Sequence, residues 1–403
     1  MGGVRKAADA IAARGPATPQ ERWEETGGYS PSTLASMIAG LVAAGDLARA
    51  RGDNARAALY TGVADAWQRN TENRMFTTNG PVGDGHYYVR IDNDGDPNDG
   101  SQRDYGNCAG LHQENSVLDA GFLDFVRLGV KAPSDPYIAD SIAETDASLA
   151  TDTPSGRLWR RYTFDGYGEK ADGSPWGFNS CTPKTFGRPW PILTGERGEY
   201  VVARGGDGLP FLRTMANTAN DGYMIPEQVW DCPPNAVSER CQEPNLFGYQ
   251  FGKATGSASP LAWAMAQYIR LARAIDAGRP VETPAVVAKR YAQGVQLSVP
   301  TLQLTAPADG SVASQRNVTV SGTTNAQNVY IGGGGQVLSV TPQKEFRFGG
   351  GAGELDFGLA SKDTDTRDPN ALDVIVGPGQ TQSSVLDWRT ASPVQLPMLP
   401  LAP

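Results

Sequence analysis

Two carboxylates, each close to a tryptophan, are the residues of this chain best suited to chemistry. Glu24 follows Trp23, and Glu227 lies three residues before Trp230 in a distant part of the sequence. Cleavage of a glycosidic bond needs one carboxyl group as acid and another as base. Aromatic rings beside them can stack on the apolar faces of sugars. The sequence therefore predicts a sugar-cleaving site in which Glu24 is the general acid and Glu227 is the general base.

Aromatic residues near these carboxylates could bind the sugar without taking part in cleavage. Tyr29 and Trp230 are candidates for the walls of the site, because a ring with one polar end suits a half-wet surface. Trp190 is a further candidate for stacking on a sugar, although a core position at the start of a helix suits it nearly as well. Both interpretations of Trp190 stay open at this point.

Arg161 has two possible roles that the sequence does not separate. Its guanidinium presents a fixed fork of donors that can hold sugar hydroxyls. The alternative is a surface ion pair with Asp165 or Glu169, which follow at short spacing. His86 and His112 have no carboxylate motif beside them, and no role is assigned to either.

The acidic run 92–100 raises the question of a metal ion. Hard cations such as calcium take several carboxylate and carbonyl oxygens as ligands. The run lacks the glutamate that closes an EF-hand loop, and an acidic hairpin turn explains the same residues. The weak calcium candidates are Asp92, Asp94, Asp96 and Asp99.

Composition restricts the class of protein. The chain has 403 residues, of which 39% are hydrophobic, and this length suggests two or three domains. A net charge of −9 argues against a nucleic-acid partner, because proteins that bind nucleic acids carry basic surfaces. We find no apolar stretch of the roughly 18 residues that a membrane span requires, and no signal peptide at the start of this chain.

The four cysteines do not follow a metal-binding pattern. None of them forms a CxxC pair, and only two histidines are available, so a Cys/His zinc site is not expected. Cys232 and Cys241 bracket a polar loop and are close enough in sequence to form a disulfide. Free thiols at all four positions are the alternative.

Hydrophobic periodicity predicts a mainly helical protein followed by a region of strands. Residues 157–190 form a long loop rich in aromatic residues, which is typical of a functional segment. Residues 1–295 are predicted to be the helical domain, 296–392 a small β-sandwich and 393–403 a proline-rich tail. The predicted helices cover 4–14, 31–50, 54–69, 117–130, 136–149, 190–204, 209–219 and 259–276.

Several motifs in the same order resemble the glycoside hydrolase family of glucoamylases and bacterial glucodextranases. The segment Trp23-Glu24-Glu25 resembles the general-acid motif of that family, and Pro226-Glu227-Gln228 resembles its general-base motif. The segment 259–264 is similar to the helix start that follows the base. The segments 164–169 and 193–200 look most like glucodextranase. The resemblance covers roughly residues 1–295.

The resemblance implies an (α/α)6 barrel, of which this chain is expected to contain only the C-terminal half. It also implies an exo-acting, inverting enzyme that releases glucose from the non-reducing ends of α-glucans, preferring dextran-type α-1,6 links over starch-type α-1,4 links. Such an enzyme is secreted and needs no cofactor beyond a possible structural calcium. The alternative is a catalytically inactive fragment, or a protein that only binds carbohydrate, because the first half of the barrel is missing.

In this mechanism the two carboxyl groups must differ in protonation. The apolar ring of Trp23 and the nearby charge of Glu25 are expected to keep Glu24 protonated, whereas Glu227 is expected to stay ionised in a more polar setting. The substrate-binding residues predicted from the residues and the resemblance together are Trp23, Glu25, Tyr29, Arg161, Tyr162, Trp190 and Trp230.

Overall fold

The computed structural model describes residues 2–177 and 181–293, and beyond them only the strands between 302 and 376. Helices dominate the first two ranges, as the periodicity predicts. Their bounds are α1 Gly2–Arg14, α2 Pro31–Arg49, α3 Asn54–Arg69, α4 Thr71–Met75, α5 Leu123–Arg127, α6 Pro136–Leu149, α7 Pro191–Ala203, α8 Leu209–Thr218, α9 Ala262–Ala277 and α10 Ala285–Tyr291.

Local signals account for where several of these helices begin and end. Asp135 caps α6 by accepting hydrogen bonds from the second and third backbone N–H groups beyond it, and Pro136 occupies the first helical position. Asp53 caps α3 in the same way through the backbone N–H of Arg56. Gly278 ends α9 in the left-handed conformation that favours glycine.

The first hydrophobic core lies between α1, α2, α3 and the segment around α5. Helices α2 and α3 approach closely at Gly45, where an added Cβ would lie 2.8 Å from Cγ2 of Thr61. The central residues of this core, such as Leu34, Ile38 and Phe125, are fully buried. This core supports the scaffold and contains no part of the Trp-Glu-Glu motif.

The second core lies beneath the long loops. Helix α7 packs against α8 and α9, and their apolar side chains meet aromatic residues that come from loops. Trp23, Trp159 and Trp190 belong to this core, together with Leu271 of α9. The residues predicted to carry chemistry are therefore positioned by the α7–α9 side of the molecule.

Three short antiparallel pairs connect the helices. In the first pair, Phe76 lies opposite Tyr88. The acidic run was predicted as a hairpin turn, but it connects strands of different pairs and is therefore a loop of consecutive turns. The strands are β1 Phe76–Thr77 with β2 Tyr87–Tyr88, β3 Gln102–Tyr105 with β4 Gly110–Gln113, and β5 Ala150–Thr153 with β6 Gly156–Trp159.

The helix predicted over 117–130 is wrong in its first half. The backbone N–H of Arg90 donates to Val117 O over 2.7 Å, and Val89 bridges Leu118, so this part is extended. A 3-10 turn and the short helix α5 follow, and Gly129 at φ 75° ends the helical stretch. Pairing with neighbouring chain segments outweighs the helical spacing of the apolar residues.

The other helix boundaries differ from the predictions by a few residues, with three exceptions. Helix α9 begins at Ala262 with Leu261 as its cap, so Ser259 and Pro260 precede the helix and do not start it. Helices α4 and α10 were not predicted, because five and seven residues give too short a periodic signal. Strand β6 overlaps the start of the predicted loop 157–190.

Strands occupy the described residues between 302 and 376, as the change in sequence texture predicts. One sheet has four strands, which are 336–340, 329–333, 372–376 and 357–358 in spatial order. The remaining described strands of this region form three antiparallel pairs. The proline-rich tail 393–403 lies outside the described residues. The strands are β7 Leu302–Ala306, β8 Ser311–Ala313, β9 Val318–Thr319, β10 Ser321–Thr324, β11 Val329–Gly333, β12 Gln336–Val340, β13 Arg347–Phe348, β14 Gly353–Leu355, β15 Phe357–Gly358 and β16 Leu372–Val376.

One helix qualifies the prediction about membrane spans. Among the described residues, α2 is long and apolar enough to cross a membrane by length and composition alone. Most of its apolar residues pack inside the first core, and core helices of this kind meet the same criterion.

Candidate active site

Glu24 lies on the surface of a tight loop, and its backbone is unusual. Its φ of 61° places it in the left-handed region, which non-glycine residues seldom adopt. The backbone N–H of Glu24 donates to Glu21 O over 2.9 Å, and Gln20 Nε2 donates to Glu24 O over 2.7 Å. These bonds fix the backbone of Glu24, and its side chain is exposed to solvent. Strained residues of this kind cluster at functional sites.

Trp23 lies beneath Glu24 and is nearly buried. Its backbone N–H donates to Glu21 Oε2 over 2.8 Å, and its indole Nε1 donates to the carboxylate of Asp119. Asp119 also pairs with Arg22 over 3.3 Å. The ring of Trp23 is therefore fixed by two carboxylates, one on its own loop and one from the segment before α5.

Glu25 points inward and is held by two arginines. Arg161 Nη1 lies 2.9 Å from Glu25 Oε1, and Arg90 Nη2 lies 2.7 Å from Glu25 Oε2. Tyr162 donates its hydroxyl to Glu25 Oε2 over 2.5 Å, and Asn107 donates its side-chain amide to Oε1. Burial alone would raise the pKa of Glu25, but these arginines outweigh burial and lower it.

The state of Glu25 corrects one step of the predicted mechanism. Glu25 was expected to act as an uncompensated negative charge that helps keep Glu24 protonated. Because Arg90 and Arg161 compensate its charge, its field at Glu24 is weaker than the sequence alone suggests. Glu25 instead anchors the loop that presents Glu24.

Arg161 is buried, and carboxylates occupy all three arms of its fork. Its Nε and Nη2 donate to Asp165 over 2.8 and 2.7 Å, while Nη1 pairs with Glu25. The predicted ion pair with Asp165 is thus confirmed, but it is buried and does not lie on the surface. The guanidinium also lies 5.0 Å from the ring of Trp23 and 4.7 Å from that of Tyr167.

Glu227 lies in an extended stretch that pairs with the segment before α9. Its backbone N–H donates to Ala258 O over 2.8 Å, and Val229 N–H donates to Pro189 O over 3.0 Å. Glu227 was expected in a polar setting, and its side chain is half-buried. Burial raises the pKa of its carboxyl group, a backbone hydrogen bond at Ala258 and the charge of Arg161 oppose that rise, and the charge of Glu169 adds to it.

The two motifs approach each other around Arg161 and Trp190. Arg161 pairs with Glu25 and lies 5.5 Å from the ring of Trp190. The residue before Trp190 accepts a backbone hydrogen bond from the stretch that contains Glu227. The sequence offered Arg161 as a sugar contact or as the partner of Asp165 or Glu169, and did not link it to Glu25. Its central position between the motifs comes from the structure.

Aromatic rings form a connected series along this region. Trp176 meets Tyr167 at 4.8 Å, and Tyr167 lies 6.2 Å from Trp190. Trp190 meets Trp23 edge-on at 5.5 Å, and Trp23 lies 5.7 Å from Trp263. The series ends at Trp263, whose side chain is 41% exposed. Such rings suit the apolar faces of sugars.

Two predicted wall residues are buried elsewhere. Tyr29 is 1% exposed and belongs to the first core, with the guanidinium of Arg74 5.3 Å from its ring. Trp230 is fully buried and donates its indole N–H to Glu243 over 2.6 Å. Neither ring is available to a sugar at its present position. Large aromatic residues lose solvent contact wherever a loop packs back on the core, and sequence spacing does not reveal this.

Tyr162 and Trp190 are also nearly buried, but both stay within the site. Tyr162 bonds Glu25, and the ring of Trp190 supports Trp23. The backbone of Trp190 bridges Trp159, which places it at the start of α7 as the core interpretation predicts. Both residues position the site from below.

The sequence missed Trp263, Tyr167 and Asp119. Trp263 lies in a quoted motif, but the motif was taken as a helix start and its one exposed ring was not considered. Tyr167 belongs to the long aromatic loop, which was predicted to be functional as a whole. No sequence signal identifies Asp119, because its partner Trp23 is distant in the chain.

The aspartates of the acidic run act mainly on backbone groups. Asp92 accepts from Gly95 N–H and Asp94 N–H, and Asp99 accepts from Ser101 N–H over 2.7 Å. Burial and the adjacent Glu114 raise the pKa of Asp92 to about 8. Among the described residues, no group of three or more acidic, histidine or cysteine side chains is arranged to hold a metal ion.

All four cysteines form disulfides. The pair Cys232–Cys241, which was one of two alternatives from the sequence, is confirmed. The pair Cys108–Cys181 was not predicted because 73 residues separate its members. Cys108 follows Asn107, which bonds Glu25, so this disulfide ties the long aromatic loop to the carboxylate network.

Comparison with known proteins identifies the helical part of the chain. Residues 2–273 match the family model of glycosyl hydrolases family 15. A glucoamylase of Clostridium sp. (strain G0005) is 40% identical over 288 residues, which are 72% of this chain and 38% of that protein. The crystal structure of a bacterial glucoamylase complexed with acarbose matches with a TM-score of 0.64 at 40% identity, covering 72% of this chain and 39% of that one. The chain thus spans about two fifths of the length of these relatives.

Proposed function

The chain belongs to glycosyl hydrolase family 15, and from that premise we propose that it hydrolyses α-glucosidic bonds at the non-reducing ends of α-glucans and releases glucose. Its helical part has the (α/α)6-barrel type of fold. The observation that carries the proposal is the approach of both carboxylate motifs around Arg161 and Trp190. A site for glycoside cleavage needs two carboxyl groups on one region, and aromatic rings beside them.

Glu227 acts as the general base in this proposal. Its carboxyl group is half-buried and its pKa is raised, so its carboxylate is a stronger base than one in water. It draws a proton from a water molecule, which attacks the anomeric carbon of the terminal glucose from the side opposite the bond that breaks. The oxygen of the water forms the new bond, and the configuration at that carbon inverts.

Glu24 acts as the general acid. It delivers its proton to the glycosidic oxygen as the bond to the leaving sugar breaks. Its exposed carboxyl group, on a loop whose Trp23 packs against Trp263, presents that proton to a substrate beside the exposed ring of Trp263. After one turnover Glu24 is ionised and Glu227 is protonated, and exchange with solvent restores both.

Glu25, Tyr162 and Arg161 position these groups. Trp23 and Trp190 support the site from below, and Trp263, whose ring is exposed, offers the apolar surface for the sugar. Glu25 and Arg161 satisfy each other's charge below the reacting carboxyl groups, so neither moves when the substrate binds. The two carboxyl groups supply all of the acid–base chemistry, and the proposal requires no cofactor.

The linkage that this chain prefers has two candidate answers. The segments 164–169 and 193–200 look most like glucodextranase, which favours dextran-type α-1,6 links. The relatives found by comparison carry the name glucoamylase, which favours starch-type α-1,4 links. We propose the α-1,6 preference on the basis of those two segments, of which the first lies within the aromatic loop and the second within α7.

The disulfides support an extracellular location. Disulfides form and persist in oxidising compartments and are rare in the cytosol. Because all four cysteines are paired, we propose that the protein acts after secretion.

The direct test is release of glucose from dextran and from soluble starch by the purified chain, beside a Glu227→Gln variant. Glucose release that disappears in the variant supports the proposal, and the faster substrate identifies the linkage. If the chain releases no glucose from either polymer, the proposal fails for this chain and the alternative of an inactive, carbohydrate-binding protein gains.

A further inference from the structure

Outside the aromatic series of the active site, a second group of rings reaches the surface from the loop after Cys241. Phe247 is 52% exposed and stacks on Tyr249, with ring centroids 5.9 Å apart and planes 16° from parallel. Tyr249 in turn lies 5.4 Å from Trp230, which is fully buried. The three rings form a pile with a buried base and an exposed top, called here the aromatic pile.

The aromatic pile is rigidly held. Trp230 packs against the disulfide Cys232–Cys241 and donates its indole N–H to Glu243. Asn245 accepts from the backbone N–H of Tyr249 over 2.7 Å and donates to the backbone O of Tyr249 over 2.9 Å. An exposed ring on so fixed a support loses little conformational entropy when a ligand binds.

The aromatic pile is continuous with the active site through one short segment. A Cβ added at Gly256 would lie 2.6 Å from Tyr249 Oη and 3.8 Å from Glu169 Oε1. Gly256 N–H donates to that same oxygen of Glu169 over 3.2 Å. Two residues further on, Ala258 O accepts the backbone N–H of Glu227. Tyr249 therefore contacts the segment that positions the candidate base.

We propose that the aromatic pile is a binding platform for sugar residues of the glucan chain that lie beyond the bond being cleaved. A flat exposed ring beside the site binds the apolar face of a pyranose and is indifferent to which link joins the sugars. The platform rests on the proposed function for the identity of its ligand. It does not take part in the chemistry.

The platform predicts an effect of chain length. A short oligosaccharide occupies the active site without reaching Phe247, whereas a polymer contacts both. Phe247→Ala should raise KM for dextran or starch on the order of five- to tenfold and leave kcat and the kinetics of a disaccharide unchanged. Phe247→Tyr keeps the ring and should behave as the unchanged protein.

The experiment combines these kinetics with direct binding of the protein to soluble dextran and starch by affinity electrophoresis. Val237→Ala is the matched control, because Val237 is 86% exposed on the neighbouring disulfide-closed loop but carries no ring. Weaker polymer binding by Phe247→Ala alone supports the platform, even if no variant releases glucose and the proposed function fails. Equal polymer binding by all variants, or none by the unchanged protein, overturns it.

Discussion

The two carboxylate loops are fixed by different forces. The Glu24 loop is held by buried ion pairs: Glu21 and Glu25 share Arg90, and Glu25 also binds Arg161. The Glu227 stretch is held by backbone hydrogen bonds to neighbouring segments and by apolar burial. In the first loop the arginines outweigh burial at Glu25, although burial still raises the pKa of Glu21, and in the second loop the proposed base is itself partly desolvated.

This difference assigns each loop a chemical character. Arg90 and Arg161 keep Glu25 ionised, so Glu25 does not compete with Glu24 as an acid. Desolvation raises the pKa of Glu227 and makes it a better base. Acid–base cleavage of a glycoside requires two carboxyl groups in different environments. It does not require two different residue types.

The roles of the two loops can be distinguished most clearly by removing each carboxyl group in turn and by changing the leaving group of the substrate. Glu24→Gln and Glu227→Gln should each lower glucose release from a glucan by about 10²–10⁴-fold. With α-glucosyl fluoride, whose leaving group needs no proton, Glu24→Gln should recover most of its activity and Glu227→Gln should not. Recovery in both variants, or in neither, would contradict the assignment of acid and base.

The charge-held character of the first loop predicts a large loss of stability when Arg161 is removed. Arg161→Ala leaves Asp165 buried without its arginine and Glu25 with Arg90 alone, which should lower the free energy of unfolding by about 3–5 kcal/mol. Arg49→Ala removes an exposed pair with Asp46 and should cost at most about 1 kcal/mol. Denaturant unfolding of both variants measures this contrast, and similar losses would refute it.

Asp119 is predicted to position the first loop through the indole of Trp23. Asp119→Ala should lower kcat on the order of tenfold or more with a smaller change in KM, because Glu24 shifts with Trp23. Asp146→Ala is a matched control, since Asp146 also accepts from an indole, that of Trp159, and pairs with Arg197. Steady-state kinetics should show the loss of kcat in the Asp119 variant alone, and equal losses would mean a general loss of structure.

The environment of Glu227 predicts the pH dependence. A raised pKa means that the base becomes protonated as the pH falls through a value above the ordinary 4.5, so kcat/KM should decline there. Glu169→Gln removes a negative charge that contributes to the rise, and should move this acid limb to lower pH by less than about one unit. An acid limb of kcat/KM at or below pH 4.5, or a shift of that limb to higher pH in Glu169→Gln, would contradict this account.

Local signals in the sequence were sufficient for most of the helices. Asp135 with Pro136 marks the start of α6, and the apolar spacing of α2 and α3 gives their bounds closely. The segment 117–130 shows the limit of this approach. Its apolar residues have helical spacing, but hydrogen bonding of Val117 to Arg90 decides its conformation, and that partner is not visible locally.

The sequence predicted the motifs of the candidate site but not the contacts that join them. Trp23 with Glu24, and the segment containing Glu227, were found because each motif is contiguous. Trp263 is exposed and Trp230 is buried. The sequence does not distinguish them, because burial depends on the packing of distant segments. The disulfide Cys108–Cys181 and the bond from Trp23 to Asp119 were missed for the same reason.

The measurement that tests the central claim most directly is the anomeric form of newly released glucose, followed by proton NMR before mutarotation. A base that activates water opposite an acid, as proposed for Glu227 and Glu24, inverts the configuration, so an α-glucan should yield β-glucose first. Initial release of α-glucose would mean that a carboxylate attacks the sugar directly, and it would contradict the roles assigned to both loops.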